Sequence, residues 1–98
     1  MIVDVLFTPS GRAQFLAAVE TIRRNNRSAA QRFQLQAAKV LKRLRRFPES
    51  GTVITEFPEL PHREIYIKPY RSFYRVQEDK VWIVAVWHGS QVPEEPGN

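Results

Sequence analysis

The stretch HREIYIKPYRSFYRVQEDKVWIVAVWHG, residues 62–89, decides the fold of this chain. Its apolar residues recur with a period of two in three runs, REIYIK, YRSFYRVQ and KVWIVAVW, which Pro69 and Glu78-Asp79 separate. Connections this short favour antiparallel pairing, because parallel neighbours need a long crossover between them. The stretch therefore predicts a three-stranded antiparallel meander.

A strand and two helices are predicted before the meander. Residues 2–7, IVDVLF, are apolar on both sides of the alternation, which predicts a buried strand rather than an edge strand. Thr8 and Pro9 are suited to the start of a helix over about 9–24, and a capping box at 28–31 predicts the start of a second helix. The helices are predicted to form an antiparallel hairpin. The fold class is therefore α+β, with strand, helical hairpin and meander sharing one sheet.

Length and composition limit the organisation and the compartment. Ninety-eight residues suffice for one domain, predicted over 1–88, and the proline-rich residues 89–98 are expected to form a flexible tail. The chain has no cysteine, which excludes disulfide and thiolate chemistry and favours the cytoplasm. Neither a signal peptide nor an apolar run of about 20 residues is found, so no membrane association is expected.

The positive charge is concentrated in the half of the chain that is predicted to be helical. Residues 1–50 contain ten Lys and Arg against three Asp and Glu, whereas residues 51–98 contain five against seven. Such a surface attracts phosphate backbones or an acidic protein. The alternative is an ordinary solvated helix surface.

The last hairpin determines which side chains share a face of the sheet. With Glu78-Asp79 as a two-residue loop, the predicted pairs are Arg75–Trp82, Phe73–Val84 and Arg71–Val86. One face is almost entirely apolar and is predicted to rest on the helices; it contains Ser72, Tyr74, Val76, Val81, Ile83, Ala85 and Trp87. The opposite face is predicted to be uncovered and contains Arg71, Phe73, Arg75, Trp82, Val84, Val86 and His88.

Two of these side chains, with a lysine nearby, have the chemistry that metal-free RNA cleavage requires. The planar fork of Arg71 is suited to phosphate oxygens, and His88 titrates near neutrality and is suited to proton transfer. Lys68 adds positive charge. We therefore take Arg71, His88 and Lys68 as candidate catalytic residues. The alternative is that Arg71 bonds a strand edge and that His88 is a hydrogen-bonded residue at a strand end.

The same face offers candidate RNA-binding residues. Phe73 and Trp82 are aromatic residues of a sheet, a setting in which other proteins stack RNA bases. Arg75 and Arg63 add positive charge, although Arg75 opposite Trp82 is also typical of a cation–π pair on an exposed sheet.

Metal and nucleotide chemistry have no sequence support. The chain contains no HExxH, Walker loop, GxGxxG or GxSxG motif, and its two histidines have no metal-ligand spacing around them. We therefore expect neither a metal nor a cofactor.

The order of elements and three motifs resemble the RelE/ParE superfamily of toxins from bacterial type II toxin–antitoxin systems. The motifs are Arg63-Glu64-Ile65, Tyr70-Arg71-Ser72-Phe73-Tyr74 and an apolar run from Val81 that ends in His88-Gly89. The resemblance implies one of two mechanisms. RelE-like members cleave mRNA in the ribosomal A site, and ParE-like members inhibit DNA gyrase without nuclease chemistry.

The resemblance also implies partners and a role for Arg71, which matches the phosphate-stabilising arginine of the RelE-like pattern. A cognate acidic antitoxin is expected to hold the toxin in a hetero-oligomer. The chain departs from the pattern because no arginine follows Arg75, no tyrosine follows Tyr74, and Ser90-Gln91 replace the usual arginines. The leading interpretation is a ribosome-dependent mRNA endonuclease. The alternatives are a gyrase inhibitor and a toxin-fold binding protein without activity.

Overall fold

The computed structural model describes residues 2–97, in which one five-stranded sheet packs against two helices. In chain order the elements are β1 (Asp4–Phe7), α1 (Pro9–Asn25), α2 (Arg27–Arg46), β2 (Thr52–Val53), β3 (Arg63–Ile67), β4 (Tyr70–Gln77) and β5 (Lys80–His88). The strand order is β1-β5-β4-β3-β2, with β1 parallel to β5 and all other pairs antiparallel. The predicted α+β class and the meander are confirmed.

The helical hairpin is set by two capping side chains. Thr8 Oγ1 accepts the Gly11 N–H at 3.1 Å, and Pro9 occupies the first helical position of α1, as predicted. Asn26 ends α1 by donating its N–H to Ile22 O, and its side chain accepts the Ala29 N–H at 3.0 Å. One residue thus ends one helix and begins the next. The predicted capping box at 28–31 is wrong, because Asn26 caps α2 two residues earlier.

The main core lies between the helices and one face of the sheet. Its buried members include Ala18, Phe33, Ala37, Val40, Leu44, Ile65, Ile67, Tyr70, Tyr74, Val81, Ile83 and Val86. Aromatic rings from β1, α1, α2 and β4 are in succession 5.4, 5.7 and 5.5 Å apart between centroids. The prediction that residues 2–7 form a buried strand is wrong, because β1 is an edge strand that pairs only with β5.

A second, smaller core covers the opposite face of the sheet, which the sequence predicts to be uncovered. Ile54, Phe73, Val84 and Ala85 are buried there, and Phe57, Trp82 and Trp87 pack around them. Ile54 and Phe57 come from the irregular segment between β2 and β3, so this segment closes the face. The sheet is therefore buried on both sides. Mobility of residues 89–98 stays a prediction, although Pro93 is buried.

The hairpin of β4 and β5 contains a register shift. The predicted pair Arg75–Trp82 is confirmed, but a β-bulge follows the pair Tyr74–Ile83. The predicted pairs Phe73–Val84 and Arg71–Val86 are wrong. The observed pairs are Phe73–Ala85 and Arg71–Trp87.

The bulge moves the end of β5 to the other face of the sheet, because side chains alternate with a period of two. Trp87 and Ala85 pack in the second core instead of against the helices. Val86 joins the main core, and His88 lies beside Tyr70 on the helix side. Arg71 stays on the face that carries the second core.

Candidate functional site

Arg71 lies in β4, and two carboxylates bind its guanidinium. Its Nε and Nη2 donate to Glu64 of β3 at 2.9 and 2.7 Å. Its Nη1 and Nη2 donate to Glu56, in the segment between β2 and β3, at 2.8 and 2.7 Å. The Arg71 side chain is only 13% exposed. All three guanidinium nitrogens are therefore engaged within the protein.

The Arg71–Glu56–Glu64 cluster has one positive and two negative charges. Hydrogen bonds from Arg71 lower the pKa of Glu56 to about 2, so this carboxylate stays ionised at neutral pH. The two carboxylates raise the pKa of Arg71 above its ordinary value, Glu56 by the larger amount. The guanidinium also lies 5.2 Å from the Phe73 ring centroid. An incoming phosphate has to displace two carboxylates before it reaches Arg71.

His88 lies on the opposite side of the sheet from Arg71, at the end of β5. Its ring packs edge-on against Tyr70, with 5.3 Å between centroids. Its Nδ1 accepts the Ser90 N–H at 3.1 Å and is 2.7 Å from Ser90 Oγ. Because Nδ1 accepts, the neutral ring carries its proton on Nε2. The prediction that Arg71 and His88 share a face is wrong, and the bulge in β5 is the reason.

Lys68 occupies a third location, in the turn between β3 and β4. It borders a shallow cleft of about 480 Å³ against the helices, together with Ile22, Ala29, Arg32, Phe33, Gln36 and Pro69. This cleft is on the helix side, whereas Arg71 faces the second core. The three candidate catalytic residues thus do not converge on one point.

The candidate RNA-binding residues make contacts within the protein. Phe73 is 0% exposed and is a centre of the second core, so its ring is covered on both faces. The Arg75 guanidinium is 6.0 Å from the Trp82 ring and donates to Gln77, which fits the predicted cation–π pair. Arg63 Nη1 donates to Gly51 O at 2.9 Å. A role for these residues in RNA binding stays a prediction.

The largest open cleft surrounds His88 and has a volume of about 500 Å³. Gln14 of α1 lines it and accepts the Val86 N–H at 2.8 Å, and Gln91 accepts the His88 N–H at 2.7 Å. Sequence reasoning missed both glutamines, because the cleft is formed by elements about 70 residues apart and no local motif marks them. It also missed Glu56, although Glu64 lies in a motif that it quoted.

Two observations bear on cofactors and membranes. Within residues 2–97, no three His, Cys, Asp or Glu side chains come together in an arrangement suited to a metal ion. None of the helices in this range has the length and apolar character needed to cross a bilayer.

Comparisons with known proteins identify the family. Residues 5–93 match the family described as the ParE toxin of type II toxin–antitoxin systems, parDE. The fold is similar to a structure described as the chromosomal ParDE toxin–antitoxin system from P. aeruginosa, with a TM-score of 0.70 and 15% identity. That match covers 89% of this chain and 96% of the other. No curated protein matches the sequence. Since the family match spans nearly the whole chain, the protein belongs to the ParE toxin family of type II toxin–antitoxin systems.

Proposed function

We propose that this toxin arrests growth by inhibiting DNA gyrase, without cutting RNA. The observation that carries the proposal is the state of Arg71, the one residue that matches the phosphate-stabilising arginine of the RelE-like pattern. Glu56 and Glu64 hold it at four hydrogen-bond distances between 2.7 and 2.9 Å. A guanidinium that is compensated twice over is suited to holding a loop on a sheet.

RNA cleavage needs a group that withdraws a proton, a cation at the phosphate and a proton donor at the leaving oxygen, all within reach of one another. Here Arg71 is compensated by carboxylates, His88 is on the other face of the sheet and Lys68 borders the helices. This separation favours a mechanism that works by binding. The lack of arginine and tyrosine after β5 favours the same conclusion.

The proposal extends to a partner and a compartment. Family membership supports an antitoxin partner. The net charge of +5, concentrated in the helices, favours an acidic antitoxin in a hetero-oligomer. The absence of cysteine favours the cytoplasm, where gyrase and its DNA are found.

Two assays run in parallel test the proposal. The full chain, freed of antitoxin, is titrated into gyrase-catalysed supercoiling of relaxed plasmid and, separately, into ribosomes that carry a defined mRNA. We expect supercoiling to fall with toxin concentration and the mRNA to stay intact. Cleaved mRNA together with unimpaired supercoiling would restore the endonuclease interpretation and overturn the proposal. No effect in either assay would leave a binding protein without these activities.

A further inference from the structure

The outward face of α2 is strongly basic and contains no carboxylate. Seven cations lie on it, all of them exposed: Arg27, Arg32, Lys39, Lys42, Arg43, Arg45 and Arg46. The buried residues of α2 form the opposite stripe, as a period of 3.6 requires. Among residues 2–97, none of these seven cations forms a salt bridge, whereas Arg23 and Arg24 of α1 pair with Glu20. The positive charge of α2 is therefore available to a partner.

The cations of α2 form a row along the helix axis. Lys39, Lys42 and Arg46 follow one another at spacings of three and four, so they point in nearly the same direction. From Arg32 to Arg46 the row extends for about 21 Å at 1.5 Å per residue. Leu35 is the one large apolar side chain of α2 that is exposed. The face is thus long, convex and polar.

We propose that this face of α2 binds the phosphate backbone of duplex DNA. Duplex DNA has one negative charge per about 1.7 Å of its axis, which suits a row of unpaired cations on a single helix. An acidic peptide chain is a poorer fit, because helical or extended peptides dock through apolar anchors in a groove and this face offers only Leu35. The inference rests on the proposed function, since gyrase acts on duplex DNA, and it adds a direct contact between toxin and DNA.

The test measures DNA affinity as a function of salt. A fluorescent 20-base-pair duplex is titrated with the full chain and with the triple variant Lys39→Gln/Lys42→Gln/Arg46→Gln, and anisotropy is followed at several salt concentrations. Each lost phosphate contact lowers the slope of log K against log salt by about 0.9, so the variant should lose about 2.7 of the slope. At 0.1 M salt this corresponds to a loss of affinity on the order of 100-fold.

A second triple variant controls for net charge. Arg12→Gln/Arg24→Gln/Lys80→Gln removes the same number of cations from α1 and β5, so its slope and affinity should change much less. Circular dichroism melts of both variants should match the parent, because every substituted residue is at least partly exposed. Equal losses in both variants would overturn the proposal, since they would reflect net charge and not the face of α2.

Two further outcomes would also overturn it. One is a duplex affinity that the α2 variant leaves unchanged. The other is an α2 variant that loses affinity for an acidic polyglutamate peptide but keeps its affinity for the duplex, which would assign the face to a protein partner. Binding of the toxin to gyrase subunits without DNA is measured in parallel. Failure of that binding counts against the proposed target, whereas the duplex titration tests the α2 face independently.

Discussion

At the scale of single residues, Arg71 shows how surroundings decide the role of a side chain. The motif around it predicts a phosphate-binding arginine, and the structure places two carboxylates on it. Glu64 is close in sequence and lies in a quoted motif. Glu56 comes from an irregular segment 15 residues away, which no period or motif places near Arg71. The ion pairs were therefore beyond prediction from sequence, although the position of Arg71 in β4 was predicted correctly.

Replacing Arg71 tests its structural role. Arg71→Ala leaves Glu56 and Glu64 facing each other without their cation, so the free energy of unfolding should fall by about 2–3 kcal/mol. Adding Glu56→Gln and Glu64→Gln removes the repulsion and should recover most of that loss. Urea unfolding of the single and triple variants measures both effects. Arg24→Ala is the matched control, because Arg24 forms only an exposed pair with Glu20 and its loss should change little.

The Glu56 carboxylate predicts a pH dependence of stability. Hydrogen bonds from Arg71 lower its pKa from the ordinary 4.5 to about 2 in the folded protein. The folded state therefore binds fewer protons than the unfolded state in this range. The contribution is fully present above pH 4.5 and is lost as the pH falls from 4.5 towards 2. The urea midpoint should fall across that window, and Glu56→Gln should flatten the fall. An unchanged slope in that variant would contradict the assigned ion pair.

His62 predicts a separate loss of stability at milder acidity. It is 5% exposed, neither ring nitrogen makes a hydrogen bond of good geometry within residues 2–97, and burial lowers its pKa below the ordinary 6.5. The Arg75 charge adds to the shift, and the Gly97 backbone and Glu95 oppose it. Stability should be full above pH 6.5 and should decline below it, because protonation favours the unfolded chain. His62→Leu should abolish the decline that begins at 6.5 and leave the Glu56 window intact.

At the scale of elements, sequence period predicted the meander and the helical hairpin but not the register at the end of β5. Residues 83–86, IVAV, are all apolar, and the sheet is buried on both faces there. Either register therefore buries apolar side chains, and no polar residue marks which one is correct. The same argument explains why the second core was missed. The irregular segment that supplies Ile54 and Phe57 has no period from which its packing can be predicted.

The start of α1 is held tightly against β5, and this contact predicts the effect of a small substitution. Thr8 Oγ1 donates to Ile83 O at 3.2 Å, and a Cβ on Gly11 would overlap that same carbonyl oxygen. Gly11→Ala should therefore push α1 off the strand and lower the free energy of unfolding by about 2–3 kcal/mol. Gly97→Ala is the control, since a Cβ there meets no atom within 4 Å. Equal melting temperatures for the two variants would contradict the close packing of α1 on β5.

At the scale of the whole molecule, the two sides of the sheet have different surroundings. The helix side supports the His88 cleft and a basic outer surface, and the other side is closed by a segment that Arg71 ties down through Glu56. The uneven distribution of charge along the chain was visible in sequence. The separation of Arg71 from His88 was not, because it depends on the bulge in β5.

The central claim is that this toxin works without phosphate chemistry at Arg71. The most direct test is growth arrest by Arg71→Ala/Glu56→Gln/Glu64→Gln, with gyrase supercoiling measured on the same purified variant. A circular dichroism melt establishes that the variant is folded. The account predicts that the folded variant still arrests growth and still inhibits supercoiling as the parent does. A folded variant that is harmless, beside a parent that cuts ribosome-bound mRNA, would contradict the account and make Arg71 a catalytic residue.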